Sequence, residues 1–140
     1  MKISTKKCKK RLTILWFTGS GVLLLLFLLQ TVLGHYGNKA SEAWGWLLPN
    51  LMPTLSLIIS VLIIDAFNKS KNKKVDSFFF KLSFSLSLVY IILILFTIIL
   101  QPITLLSSLE LLKQSNLWLG PFQGLVSASL GAFFVKSEKN

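Results

Sequence analysis

The side chains that most often carry out catalysis are scarce in this sequence of 140 residues, which has one histidine, His35, and one cysteine, Cys8. A nucleophilic triad needs a histidine within reach of a serine or cysteine and an orienting acid. His35 has Ser41 and Glu42 nearby in the sequence, but a solvated histidine at a membrane surface is the simpler interpretation. Metal sites need clusters of cysteine, histidine or carboxylate, and the sequence has neither such a cluster nor a glycine-rich phosphate loop. We therefore expect no catalytic, cofactor-binding or metal-binding residue, and no enzymatic activity.

A second kind of chemistry, the passage of a solute, would use polar side chains inside apolar segments. Asn50, Thr54 and Gln123 are placed in this way, and an amide or hydroxyl at such a depth prefers a protein or water partner over lipid. One interpretation is that these side chains line a pore. The alternative is that each one makes a hydrogen bond to a neighbouring helix. Proton-coupled transport normally shows a carboxylate in the middle of a span, whereas Asp65 and Glu110 lie near the ends of theirs.

Lysines beside the apolar segments give the chain a net charge of +10. In a soluble protein this charge would suggest nucleic acid, but lysines that flank hydrophobic segments are better explained by anionic lipid headgroups. Nucleic acid is therefore not an expected partner. The loop between the second and third apolar segments is a candidate surface for lipid or for a separately encoded cytoplasmic protein, through Lys69, Lys71, Lys73 and Lys74.

Four long helices are predicted to position these residues. Only 14% of the residues are charged, against about a quarter in a typical soluble domain, and roughly twenty apolar residues in a helix cross a bilayer once. Spanning strands would require many alternating segments closed into a barrel, and the apolar runs do not show that pattern. We predict an all-α polytopic membrane protein built as a single domain of two hairpins, 1–140, with spans at about 12–33, 43–67, 78–100 and 117–135.

The distribution of basic residues predicts the orientation of the chain. They concentrate in the tail 1–11, the loop 68–77 and the tail 136–140, whereas the first and third loops carry only Lys39 and Lys113. By the positive-inside rule, both termini and the second loop are cytoplasmic, and a bacterial inner membrane is the expected location. A cleaved signal peptide over 1–34 is disfavoured because its apolar stretch is longer than a usual signal core and no Ala-x-Ala pattern follows it.

Local features mark the second and fourth spans. Pro49 and Pro53 each remove a backbone hydrogen bond and predict a kink in the outer third of span two. In span four, small residues form a smooth face on which another helix can pack closely, either from the same chain or from another copy in a homo-oligomer. The residues of this face are Gly120, Gly124, Ala128, Gly131 and Ala132.

The segment 103–113 lies between spans three and four. Its leucines recur at helical spacing among polar residues. This pattern is compatible with a short helix lying at the outer surface of the membrane, and equally with a bent extension of span three.

The segments 46–59, WLLPNLMPTLSLII, and 117–126, LWLGPFQGLV, resemble parts of small bacterial membrane proteins encoded in conflict and antiphage operons. The resemblance implies a compact effector that permeabilises the inner membrane when a separate sensor is triggered, and it implies no catalytic residue. From the residues alone, the alternatives are a non-conducting membrane subunit that recruits a cytoplasmic partner through the basic loop, a holin-like lysis protein and a small-solute transporter.

Overall fold

The computed structural model of the chain describes residues 1–67 and 73–139. Four of its helices are long and apolar enough to cross a membrane, so the prediction of a helical protein with four membrane-capable segments is confirmed. In chain order the elements are β1 (Lys2–Ser4), α1 (Thr5–Val32), a short 3-10 turn (Gly37–Lys39), α2 (Ala40–Phe67), β2 (Lys74–Asp76), α3 (Ser77–Leu100) and α4 (Ser108–Lys139).

The helices α1 and α4 begin earlier than the apolar segments suggest. α1 starts at Thr5, so most lysines of the predicted tail 1–11 lie on its first turns. α4 starts at Ser108, because Ser107 and Glu110 cap it reciprocally: the Ser107 hydroxyl accepts from the Glu110 amide and the Glu110 carboxylate accepts from the Ser107 amide, at 3.3 and 3.1 Å. Both interpretations of the segment 103–113 were therefore wrong, because its second half is the start of α4.

The four helices form a bundle in which each has two main neighbours. α3 packs against α4 and α1, and α2 packs against the same two helices. Tyr90 of α3 is fully buried where they meet. Its ring lies 6.1 Å from the Trp16 ring of α1 and 6.4 Å from the Phe122 ring of α4, and its hydroxyl donates to Asn50 of α2. The middle of the bundle is therefore filled by aromatic side chains.

The outward side of the bundle is apolar. Leu25, Leu29, Ile63, Ile92 and Phe96 are each more than half exposed. A soluble monomer rarely exposes a continuous apolar surface of this kind, whereas lipid covers it without cost. The apolar outer surface therefore points to a membrane environment, as do the length and composition of the four helices.

A short antiparallel ribbon closes one end of the bundle. β1 pairs with β2 in the register Lys2 to Asp76, Ile3 to Val75 and Ser4 to Lys74. Beyond the strands, the Thr5 amide donates to the Lys73 carbonyl at 3.0 Å and the Ser77 amide donates to the Met1 carbonyl at 2.9 Å. The ribbon joins the first residues of the chain to the second loop. From the sequence, these two segments were predicted only as a tail and a loop. We call this end, formed by β1, β2 and the first turns of α1, the basic end.

Candidate functional sites

The predicted pore residue Asn50 makes its hydrogen bonds inside the bundle. The side chain is 5% exposed. Its amide nitrogen donates to the Trp46 carbonyl at 2.7 Å, and the Tyr90 hydroxyl lies 3.1 Å from the amide oxygen and 3.0 Å from the Asn50 carbonyl. Because the hydroxyl has one proton, it is shared between these two acceptors. Asn50 thus joins α2 to α3, and Thr54 lies one turn further on, also buried.

The predicted pore residue Gln123 makes a hydrogen bond to a carbonyl of α2 that proline leaves without its usual partner. In a regular helix the Pro49 carbonyl would accept from the amide of residue 53, but Pro53 has no N–H. The Gln123 amide nitrogen donates to this carbonyl at 3.0 Å from α4. A carbonyl within the hydrocarbon layer needs a protein partner, because lipid offers none. For Asn50 and Gln123 the geometry matches the alternative interpretation, hydrogen bonds between neighbouring helices.

Within the described residues, no other part of the chain covers the small-residue face of α4. Gly120, Gly124, Ala128 and Ala132 are exposed and Gly131 is half-buried. A methyl group built on any of the three glycines meets no atom within 4 Å. α4 packs on its neighbours through a different side of the helix, where Val126, Leu130 and Phe133 are fully buried. Within the described residues this face lies open, and its packing partner stays a prediction.

Gly19 of α1 shows what a packed glycine looks like in the same molecule. A methyl group built there would lie 3.0 Å from two carbons of Ile91 on α3. α1 and α3 therefore approach closely at this position, as small residues permit. The comparison indicates that the glycines of α4 remain available to lipid or to a second protein.

Lysines from the tail and from the second loop line one cleft at the basic end. Its volume is about 450 Å³, and its lining residues are Ser4, Lys6, Lys7, Lys10, Lys73 and Lys74. The ribbon brings these residues together, because it pairs Ser4 with Lys74 and bonds Thr5 to Lys73. Of the four loop lysines predicted as a binding surface, Lys69 and Lys71 lie outside the described residues, and the other two belong to this cleft.

An ion pair between α1 and α2 lies beside the cleft and was missed from the sequence. The Lys9 ammonium donates to the two oxygens of Asp65 at 2.8 and 3.0 Å, and the Lys9 side chain is only 9% exposed. The Phe134 ring of α4 covers the ammonium at 5.9 Å from its centroid. The sequence placed Asp65 at the end of its span, but nothing in it selected Lys9 among the other lysines of the tail.

Neutral side chains form a hydrogen-bonded cluster at the opposite end of the bundle. The Tyr36 hydroxyl lies 2.7 Å from Gln30 Oε1 and 3.0 Å from Gln101 Oε1. Nε2 of His35 lies 3.0 Å from Gln101 Oε1 and 2.9 Å from Ser108 Oγ. Burial raises the pKa of Tyr36 to about 12, although its hydrogen bond to Gln101 opposes this shift. We call these five residues the glutamine cluster; His35 belongs to it but remains exposed, in agreement with the interpretation of a solvated histidine.

The contact between Ser108 and His35 has the distance of a nucleophile and its base. A working pair also needs an acid to orient the imidazole, and no carboxylate hydrogen-bonds to His35 in the part of the chain that the structure describes. The same nitrogen of His35 also lies next to the Gln101 amide. Within residues 1–67 and 73–139, no three His, Cys, Asp or Glu side chains come together as a metal site would require.

Comparison with known proteins found no similarity from which a function could be inferred. No family model matches the sequence, and no curated protein and no solved structure is significantly similar to it.

Proposed function

We propose that the chain is a self-associating protein of a bacterial inner membrane, with both termini cytoplasmic, and that it perturbs or permeabilises the bilayer as the effector of a defence system. The observation that carries this proposal is the uncovered face of α4. Gly120, Gly124 and Ala128 recur every four residues on the outside of the bundle, and faces of this type allow membrane helices to pack backbone against backbone. The resemblance of 46–59 and 117–126 to conflict-operon proteins supports the defence setting.

In this proposal a conducting path forms between copies of the chain. Asn50 and Gln123 are already bonded within one copy, and Tyr90 fills the middle of the bundle. Ser127 is exposed and, at about 100° per residue, lies on the same side of α4 as Gly120. Packing of α4 against another copy would bring this hydroxyl into the assembly.

The test follows membrane potential with a voltage-sensitive dye in bacteria that express the chain under tight control, alone and together with the proteins encoded beside it. We expect depolarisation by the wild type and its loss in Gly120→Leu/Gly124→Leu, in which bulky side chains block the face. Gly21→Leu is the matched control, because Gly21 of α1 also has open space around it. Correctly inserted wild-type protein that never changes the potential would overturn the effector proposal.

The basic end favours a second candidate function. Five lysines gathered around one cleft suit a non-conducting membrane subunit that holds a separately encoded acidic protein at the cytoplasmic surface. The two functions differ in where substitutions act. An effector loses activity when the α4 face is blocked, whereas a recruiting subunit tolerates that change and fails when Lys6, Lys10 and Lys74 are replaced by glutamine. Co-purification of the neighbouring proteins with each variant separates the two.

A further inference from the structure

We propose that the cleft at the basic end binds the phosphate group of an anionic ligand. The cleft has a volume of about 450 Å³, within the range of about 300–1,000 Å³ found for small-molecule sites. Its described lining residues are five lysines and Ser4. This inference does not depend on whether the chain conducts ions or self-associates.

The cleft is assembled from two distant parts of the sequence. Lys6, Lys7 and Lys10 belong to the first turns of α1, and Lys73 and Lys74 belong to the segment that leads into α3. Main-chain hydrogen bonds of the ribbon hold the two parts together. Like charges repel when they are brought together, so an arrangement fixed by the backbone in this way keeps a positive potential that an anion can relieve.

The start of α1 adds to this potential. A helix N-terminus carries a partial positive charge and unpaired amide groups, which acids or capping side chains usually satisfy. α1 has neither, since its first turn contains no acid and the Ser4 side chain makes no capping hydrogen bond. The Thr5 amide itself donates to the Lys73 carbonyl. In contrast, Asp76 caps α3 by accepting from the Phe78 amide at 3.1 Å, and Glu110 and Ser107 cap α4.

Two acids of the basic end within the described residues, Asp65 and Asp76, are engaged away from the cleft. Asp65 is paired with Lys9, and Asp76 caps α3 and lies opposite Lys2 in the ribbon. Among the described residues that line the cleft there is no acid. Asp65 and Asp76 therefore do not balance the charge of Lys6, Lys10 and Lys74.

Phosphate fits this site by charge and by shape. Lysine ammonium groups are compact charges that can approach a tetrahedral phosphate from several directions, and free amides at a helix N-terminus also bind phosphate. At about 1.5 Å per residue, Lys6 and Lys10 lie within about 10 Å of Leu12 along α1, where the long uncharged segment begins. The phosphate could thus belong to an anionic lipid headgroup or to a soluble phosphate compound, and both share the same chemistry.

The experiment uses the full chain in detergent. Native mass spectrometry measures retention of phosphatidylglycerol against phosphatidylcholine, and 31P line broadening measures binding of inorganic phosphate at constant ionic strength. The test variant is Lys6→Gln/Lys10→Gln/Lys74→Gln. The control variant is Lys39→Gln/Lys81→Gln/Lys113→Gln, which loses the same charge outside the cleft. Far-ultraviolet circular dichroism verifies that both variants keep their helices.

We expect the wild type and the control to bind one of the two probes, and the test variant to bind it at least about tenfold more weakly, since each lysine near a membrane surface contributes about fivefold to anionic lipid affinity. Preference for phosphatidylglycerol that excess inorganic phosphate does not reduce identifies lipid as the source. Broadening of the inorganic phosphate signal without a lipid preference identifies a soluble source. If a folded test variant binds both probes as well as the control does, or if the wild type binds neither, the proposal is wrong.

Discussion

At the end formed by the glutamine cluster, neutral side chains meet each other: Gln30, Tyr36, Gln101, His35 and Ser108 exchange hydrogen bonds among themselves. Among the described residues, the basic end has more cations than acids, and Lys9 there forms a buried ion pair with Asp65. Most polar groups of the glutamine cluster already have a partner and gain little from a ligand, although the buried Gln101 Nε2 has no partner among the described residues. Lysines held around a cleft favour an anion, so the proposed binding site lies at the basic end, whereas the glutamine cluster joins helices.

The largest effect is expected from breaking the ion pair of the basic end. Asp65→Asn leaves the Lys9 ammonium buried without a counter-charge, and we expect a loss of about 3 kcal/mol in the free energy of unfolding, because removal of one partner of a buried pair costs 3–5 kcal/mol and Asp65 is partly exposed. Adding Lys9→Met should recover most of this loss. Reversible unfolding in mixed micelles measures both variants. Equal instability of the single and double variants would contradict a role based on charge.

A smaller effect is expected in the glutamine cluster. Gln101→Leu removes the amide that Tyr36 and His35 share, and its replacement should cost about 1–3 kcal/mol in the same unfolding assay. Binding of phosphatidylglycerol should be unchanged, because the cluster lies at the end away from the cleft. A Gln101→Leu protein that lost lipid binding while remaining folded would show that the two ends are coupled.

The hydrogen bond between Gln123 and Pro49 lies between the two ends. The loss of stability on its removal is a reference for the losses expected at either end. Gln123→Leu should cost about 1 kcal/mol, the usual size of a hydrogen bond between membrane helices. In a Pro53→Ala background the Pro49 carbonyl regains a partner within its own helix, so the same substitution should cost much less. A double-mutant cycle on unfolding free energies measures this coupling. An unchanged cost would mean that Gln123 stabilises the protein by another route.

The smallest expected effect is the titration of Tyr36. Its pKa is raised to about 12 by burial, above the usual value of about 10, so its contribution to stability is present below pH 10 and is lost as the pH rises toward 12. The absorbance difference between wild type and Tyr36→Phe should therefore show tyrosinate only near pH 12. Ionisation of Tyr36 near pH 10 would indicate that the glutamine cluster is open to water.

Much of the fold could be predicted from local properties of the sequence. Uncharged segments long enough to cross a bilayer predict helices, because a backbone in lipid has to satisfy its own hydrogen bonds. The segments therefore appear as α1 to α4. The boundaries were less accurate, since Thr5 and Ser108 begin helices in polar sequence, where a ribbon and a capping box decide the start.

From the sequence alone one can read which residues are polar within the spans, where the lysines concentrate and that α4 carries a face of small residues. What these features contact depends on the packing of the helices. The tertiary structure paired Asn50 with Tyr90 and Gln123 with Pro49, left the face of α4 uncovered within the described residues, and gathered Lys6, Lys10 and Lys74 around one cleft. The reason is physical: the length and polarity of a segment are local properties, whereas the partner of a side chain depends on how distant segments pack.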